Sequence, residues 1–153
     1  MKKIFVTLIL FIGMMSNVFA QEADYLFMIA QAVKAPSGHN TQPWLFKIAE
    51  GEIDILPDFT KSLPVVDPNH RELFVSLGCA AENLCIAAAH KGYETRVTVT
   101  HEGVIKVFLT KQSHHMESPL FAQIALRQTN RSRYDGRIVP EDSIVLLKNI
   151  GAE

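Results

Sequence analysis

The stretch from Asp67 to Gly92 constrains this chain more than any other. Asp67-Pro68 reads as a helix start, with Asp as the cap and Pro at the first helical position. Gly92 ends the run just after Lys91. Between them Leu73, Phe74, Leu77, Ala81, Leu84, Cys85 and Ala88 follow the 3.6-residue period. Gly78, Cys79, Ala80 and the run Ala87-Ala88-Ala89 make this helix slim, so the pattern predicts a central, largely buried helix with close neighbours on most sides. Two hairpin patterns flank it. Trp44 to Ala49 and Ile53 to Leu56 turn at Glu50-Gly51; Thr95 to Thr100 and Val104 to Thr110 turn at Glu102-Gly103. A helical pattern over 23–34 comes first, 118–126 reads as a short helix, and Pro140-Glu141-Asp142 opens a last amphipathic one. This order predicts an α+β fold with a mainly antiparallel sheet packed against the long helix.

The amino terminus has the three parts of a secretory signal. Lys2 and Lys3 precede an apolar run from Ile4 to Met15, and Val18-Phe19-Ala20 offers small residues for cleavage after Ala20. The run is about a dozen residues, short of the roughly 20 that span a bilayer. Gln21, not Cys, stands directly after the cleavage site. The expectation is a signal peptide over 1–20 and an exported protein, periplasmic or secreted, with no membrane attachment afterwards. Cys79 and Cys85 lie on one helix, about 120° apart around it and more than a turn apart along it, so no disulfide between them is expected. Both read as small buried hydrophobes.

Composition narrows the chemistry. At 48% hydrophobic and 20% charged the chain is globular. Its formal net charge is −1, and cleavage would remove two lysines, so it lacks the basic excess that nucleic acid requires. Of the six histidines no two sit three or four residues apart, and no metal site is expected. No G-x-S-x-G, H-E-x-x-H or phosphate-loop motif occurs, and no side chain stands out as a catalytic nucleophile.

Two constellations remain. Ala35-Pro36-Ser37-Gly38-His39-Asn40-Thr41-Gln42-Pro43-Trp44 sets a helix end, a tight turn, short polar side chains and a Trp within one loop. Those residues suit either a polar planar ligand or a well-bonded turn whose Trp packs into the core. Arg127, Arg131, Arg133 and Arg137, beside Thr129 and Ser132, suit either an anion held by forked guanidinium groups or a solvated loop.

The loop resembles the A-P-S-x-x-N-x-Q-P-W signature of the FMN-dependent nitroreductase family. Within that family the chain is most similar to the Acg-like branch, whose single chains carry two units. That likeness rests on His39 to Trp44, on Asp67-Pro68-Asn69-His70-Arg71-Glu72 and on Gly78-Cys79-Ala80. Arg127-Gln128-Thr129-Asn130-Arg131 resembles the R-x-[S/T]-x-R segment that opens a unit, with Tyr134 and Ile138-Val139-Pro140 following as they do there. The resemblance implies a first nitroreductase-like unit over 24–126 and the start of a second over 127–153, which breaks off. It also implies FMN at the interface between units. Pro36, Ser37 and Asn40 would line the flavin ring or ribityl chain. Arg127, Thr129 and Arg131 would hold the phosphate or the N1/C2 edge, where a fixed cation stabilises the charge left by reduction. NAD(P)H is the implied electron donor and a nitro compound, quinone or similar small molecule the acceptor. Completion would come from a homodimer or a missing second unit. The alternative of a different class is a non-catalytic flavin- or partner-binding remnant.

Overall fold

The computed structural model describes residues 20–113 and 118–150. The predicted leader therefore lies outside the described residues except for Ala20, and so does His114-His115. Helix α1 covers residues 20–32 and ends in turns that close with Val33 N–H on the Ile29 carbonyl and Ala35 N–H on the Ala32 carbonyl, both 3.0 Å. Strands β1 (Trp44–Ala49) and β2 (Glu52–Pro57) form the first hairpin. Helix α2 (Arg71–His90) follows, then β3 (Tyr93–Val99), β4 (Ile105–Lys111), α3 (Phe121–Leu126) and α4 (Glu141–Ile150).

The four strands form one sheet in the order β1-β2-β4-β3, antiparallel throughout. Both hairpins lie where the alternation predicts. In the second, Gly103 takes φ +79° at the turn, a backbone that favours glycine. Because strand side chains alternate between faces, Ile53, Ile55, Ile105, Val107 and Leu109 point inward together. They meet Leu73, Leu77, Ala80, Leu84, Ala87 and Ala88 of α2 and Tyr25, Met28 and Ala32 of α1 in one core, which also holds Trp44. The opposite face carries charge: Lys106 bonds Glu52 and lies 3.4 Å from Asp54. The Lys106 ammonium holds the Glu52 carboxyl below its ordinary value, whereas burial and the adjacent Glu52 push Asp54 up.

Two expectations about α2 need correction. Its first helical residue is Arg71, four residues after Asp67. Pro68-Asn69 form a turn and His70 is left-handed (φ 56°), so the helix cannot begin at Pro68. Asp67 still caps it from a distance, its buried carboxylate accepting from Leu73 N–H at 3.0 Å. Nor is α2 buried on most sides. One face packs on the sheet, while Phe74, Val75 and Gly78 are exposed and a side chain at Gly78 would meet nothing within 4 Å. By length and composition α2 could cross a membrane, but Leu77, Ala80, Leu84 and Ala87 are fully buried against the sheet and α1. Helix α3 is shorter than the 118–126 pattern predicts.

Aromatic and polar contacts fix the remaining pieces. Phe121 of α3 stacks on His90 at the end of α2, with centroids 3.7 Å apart, and also meets Phe27 of α1. Asp24 of α1 binds Lys91 at 3.3 Å, Lys111 at 3.1 Å and the Tyr93 hydroxyl at 3.1 Å, joining α1 to β3, β4 and the end of α2.

Candidate functional site

The loop from Pro36 to Pro43 lies against the amino-terminal half of α2. Ser37 is extended (φ −145°), and the chain then makes a short 3-10 turn over Gly38–Asn40. His39, Asn40 and Gln42 all take positive φ, at 50°, 57° and 51°. Such backbone is unfavourable for residues with a Cβ, and local hydrogen bonds offset the cost. Asn40 N–H donates to the Ser37 carbonyl at 2.9 Å, and Thr41 donates to the Gly38 carbonyl through both N–H and hydroxyl at 3.0 Å. Gln42 N–H donates to Ser37 Oγ at 3.0 Å, and Lys61 Nζ to the Gln42 carbonyl at 3.2 Å. Trp44 is buried, so the indole belongs to the core rather than to the site.

Between this loop and α2 lies an open cleft of about 210 Å³, lined by Pro36, Ser37, Gly38, Arg71, Val75 and Cys79 with Glu72 and Ser76. Pockets that enclose a cofactor-sized ligand run from roughly 300 Å³ upward. The cleft is thus large enough for part of such a ligand. Ser37 Oγ is used as an acceptor by Gln42, which leaves its O–H free to donate. The Arg71 side chain lines the cleft and makes no ion pair among the described residues. At the start of α2, Asp67 answers the first amides of the helix. Burial alone would raise its carboxyl, but the backbone N–H groups of Leu73, Glu72 and Arg71 outweigh that and hold it below its ordinary value.

The sequence-predicted residues fall into three places. Pro36 and Ser37 line the cleft. Asn40 lies further along the same loop, exposed, and is not part of the cleft wall. Arg127, at the end of α3, donates to the Lys34 carbonyl at 3.2 Å and to Thr129 Oγ1 at 3.2 Å. That brings the arginine segment to the root of the loop. Arg131 is exposed beyond it, as is the rest of the segment.

Sequence reasoning missed the contribution of α2: Arg71, Ser76 and Cys79. The available signal was Ser76 itself, a hydroxyl on the apolar stripe between Leu73 and Leu77. Cys79 and Cys85 are both free thiols, half-buried, and burial pushes the Cys85 thiol up. Among the described residues no group of three His, Cys, Asp or Glu comes together as a metal site would require.

No protein-family model matches the chain. Two proteins of Mycobacterium tuberculosis do, one from strain CDC 1551 / Oshkosh and one from strain ATCC 25618 / H37Rv, each named "Putative NAD(P)H nitroreductase". These relatives support a nitroreductase family. Each is 29% identical over 126 residues, covering 78% of this chain and 37% of the relative. The chain therefore spans little more than a third of the length of these curated relatives. The four-stranded antiparallel sheet packed on helices is compatible with a nitroreductase-like fold.

Proposed function

We propose that this chain is the flavin-loop half of an FMN-dependent oxidoreductase of nitroreductase type, acting on nitro compounds, quinones or similar acceptors with electrons from NAD(P)H. The observation that carries this reading is the cleft between Pro36–Gly38 and α2. It offers a hydroxyl at Ser37 that can donate and, at Arg71, a cation with no ion pair among the described residues, in a volume that fits part of a flavin nucleotide. The relatives named as NAD(P)H nitroreductases support it.

Ser37 would donate to a carbonyl or ribityl oxygen of the cofactor, and the Asn40 amide would meet the same molecule from the exposed end of the loop. Pro36 would pack against it. Arg127, Thr129 and Arg131 would hold the phosphate or the N1/C2 edge, where a permanent cation favours the reduced, negatively charged form. The bound flavin would supply the redox chemistry, accepting electrons from the nicotinamide donor and passing them to the acceptor. No side chain needs to act as a nucleophile. A half-sized cleft needs a second wall, and another copy of the chain or a second unit would supply it. The exposed Val75 and Gly78 face of α2 is available for that contact. The first unit would be 24–126, with 127–153 beginning a second, and the mature protein would act outside the cytoplasm after loss of 1–20.

Turnover tests the reading. After loading with FMN, the protein should oxidise NADH or NADPH only when a nitroaromatic or quinone is present. Donor oxidation indifferent to any acceptor, or no oxidation above free FMN, would contradict it. A protein that holds FMN but never turns over would instead favour a flavin-binding remnant, which the small cleft and the wholly exposed segment after Arg127 also fit.

A further inference from the structure

We infer that Ser76 of α2 is a positioning residue that holds the Pro36–Gln42 loop in its binding shape through the Gly38 amide; this rests on the flavin-site reading above. Ser76 is 3% exposed and sits on the packed face of α2. Its hydroxyl donates to the Glu72 carbonyl one turn back in the helix, at 2.6 Å. That fixes the direction of the hydroxyl and leaves an oxygen lone pair for the loop. Gly38 N–H donates to it at 3.2 Å, linking positions 38 residues apart.

The loop needs this anchor. Three of its residues with side chains are left-handed, and their backbone preference favours release. The remaining loop bonds are local, so they could persist in a loop that had swung away from α2. Among the described residues three hydrogen bonds tie the Pro36–Pro43 loop to distant parts of the chain: Gly38 to Ser76, Lys61 to the Gln42 carbonyl, and Asp58 N–H to the Pro43 carbonyl; of these, the Gly38 bond is the one that reaches α2. Lys61 is exposed, with a long flexible side chain; Ser76 is buried in the core helix and cannot move independently. Ser76 therefore sets where the loop sits.

Gly38 meets the same requirement from the other side. A Cβ there would stand 2.9 Å from Glu72 Oε2 and 3.5 Å from Glu72 Cβ, so the loop lies directly on the first turns of α2. Ser37, one residue earlier, is thereby held on the cleft wall. Without the Ser76 acceptor, the Gly38 amide turns to water in the open cleft, and the loop loses its hydrogen bond to the helix.

The test replaces the hydroxyl and reads the loop in two ways. In S76A, amide hydrogen exchange over 37–42 should quicken about tenfold, the size of one lost hydrogen bond, while exchange in β2 stays as in the parent. The FMN dissociation constant should rise by a similar factor. S76C, close in size but a poor acceptor, should behave alike and serves if Ala unsettles the helix. Unchanged loop exchange in a folded variant would overturn the anchor. Quickened exchange with unchanged FMN affinity would overturn its role in binding. If the parent protein binds no FMN, the functional reading fails, and the exchange measurement still decides whether Ser76 holds the loop.

Discussion

The guanidinium of Arg127 donates to the carbonyl oxygen of Lys34 at 3.2 Å, joining two residues 93 apart in sequence. Lys34 closes the turn after α1 and stands just before Pro36, so this bond sets the start of the arginine segment beside the root of the Pro36–Pro43 loop. Stacking of Phe121 on His90 explains why it can form: α3 is pinned to the end of α2, and Arg127 is the next residue after α3. Replacing Arg127 by Gln removes a charge-assisted donor from an exposed site. Stability should change by no more than about 0.5 kcal/mol, while the FMN dissociation constant should rise about tenfold. Parallel thermal melts and fluorescence titrations check both.

Leu84 is fully buried where α2 meets the sheet. Leu84→Ala leaves a cavity in the one core that all four strands share, and should cost about 3 kcal/mol. Urea denaturation would show a lower midpoint with an unchanged slope.

Gly103 combines a left-handed backbone (φ +79°) with contact against the Phe74 ring, into which a Cβ would run. Gly103→Ala should cost roughly 1–3 kcal/mol. Adding Phe74→Ala should recover the part due to the ring and leave the part due to φ. A double-mutant cycle separates the two.

Asp24 gives a pH signature. Burial alone would raise its carboxyl, but hydrogen bonds from Lys111, Lys91 and Tyr93 prevail and hold it below the ordinary 3.8. A depressed carboxyl contributes stability above its unfolded value and loses it as pH falls through the folded one. Asp24→Asn should therefore cost about 1 kcal/mol at pH 7, and the gap to the parent should close as pH drops below about 4. The same carboxylate and burial push the Tyr93 hydroxyl up to about 12, with burial the larger cause. Denaturation midpoints across pH 2–7 would reveal a closing gap; a constant gap would show that Asp24 is not paired as described.

Val75, on the outward face of α2, and Val97 and Val99, on the edge strand β3, are exposed. Apolar surface of this kind favours association. Sedimentation velocity should find a dimer, and Val75→Glu should shift it toward monomer.

Much of the fold was legible because its signals are local. Alternation in Trp44 to Ala49 and Val104 to Thr110, and glycines at the turns, specify hairpins whatever surrounds them. The start of α2 was not legible in the same way. Asp67-Pro68 is a strong capping pair, but His70 is left-handed and delays the helix, while the Asp67 carboxylate still reaches Leu73 N–H. Burial was misread for a related reason. Small residues such as Gly78 permit close packing without requiring it, and the described residues leave that face open. At the site, the motif pointed to Ser37 but not to Ser76, whose role depends on a contact with Gly38 that no spacing encodes.

On the proposed function, the Pro36–Gln42 loop and α2 would form one wall of an FMN site. Its most direct test is equilibrium titration of the purified protein with FMN, followed by gel filtration and a visible spectrum. The expected result is a yellow protein that retains FMN, bleaches under reductant and loses affinity when Ser37 is changed to Ala. A protein that stays colourless after FMN loading, at concentrations where it is folded and dimeric, would contradict it.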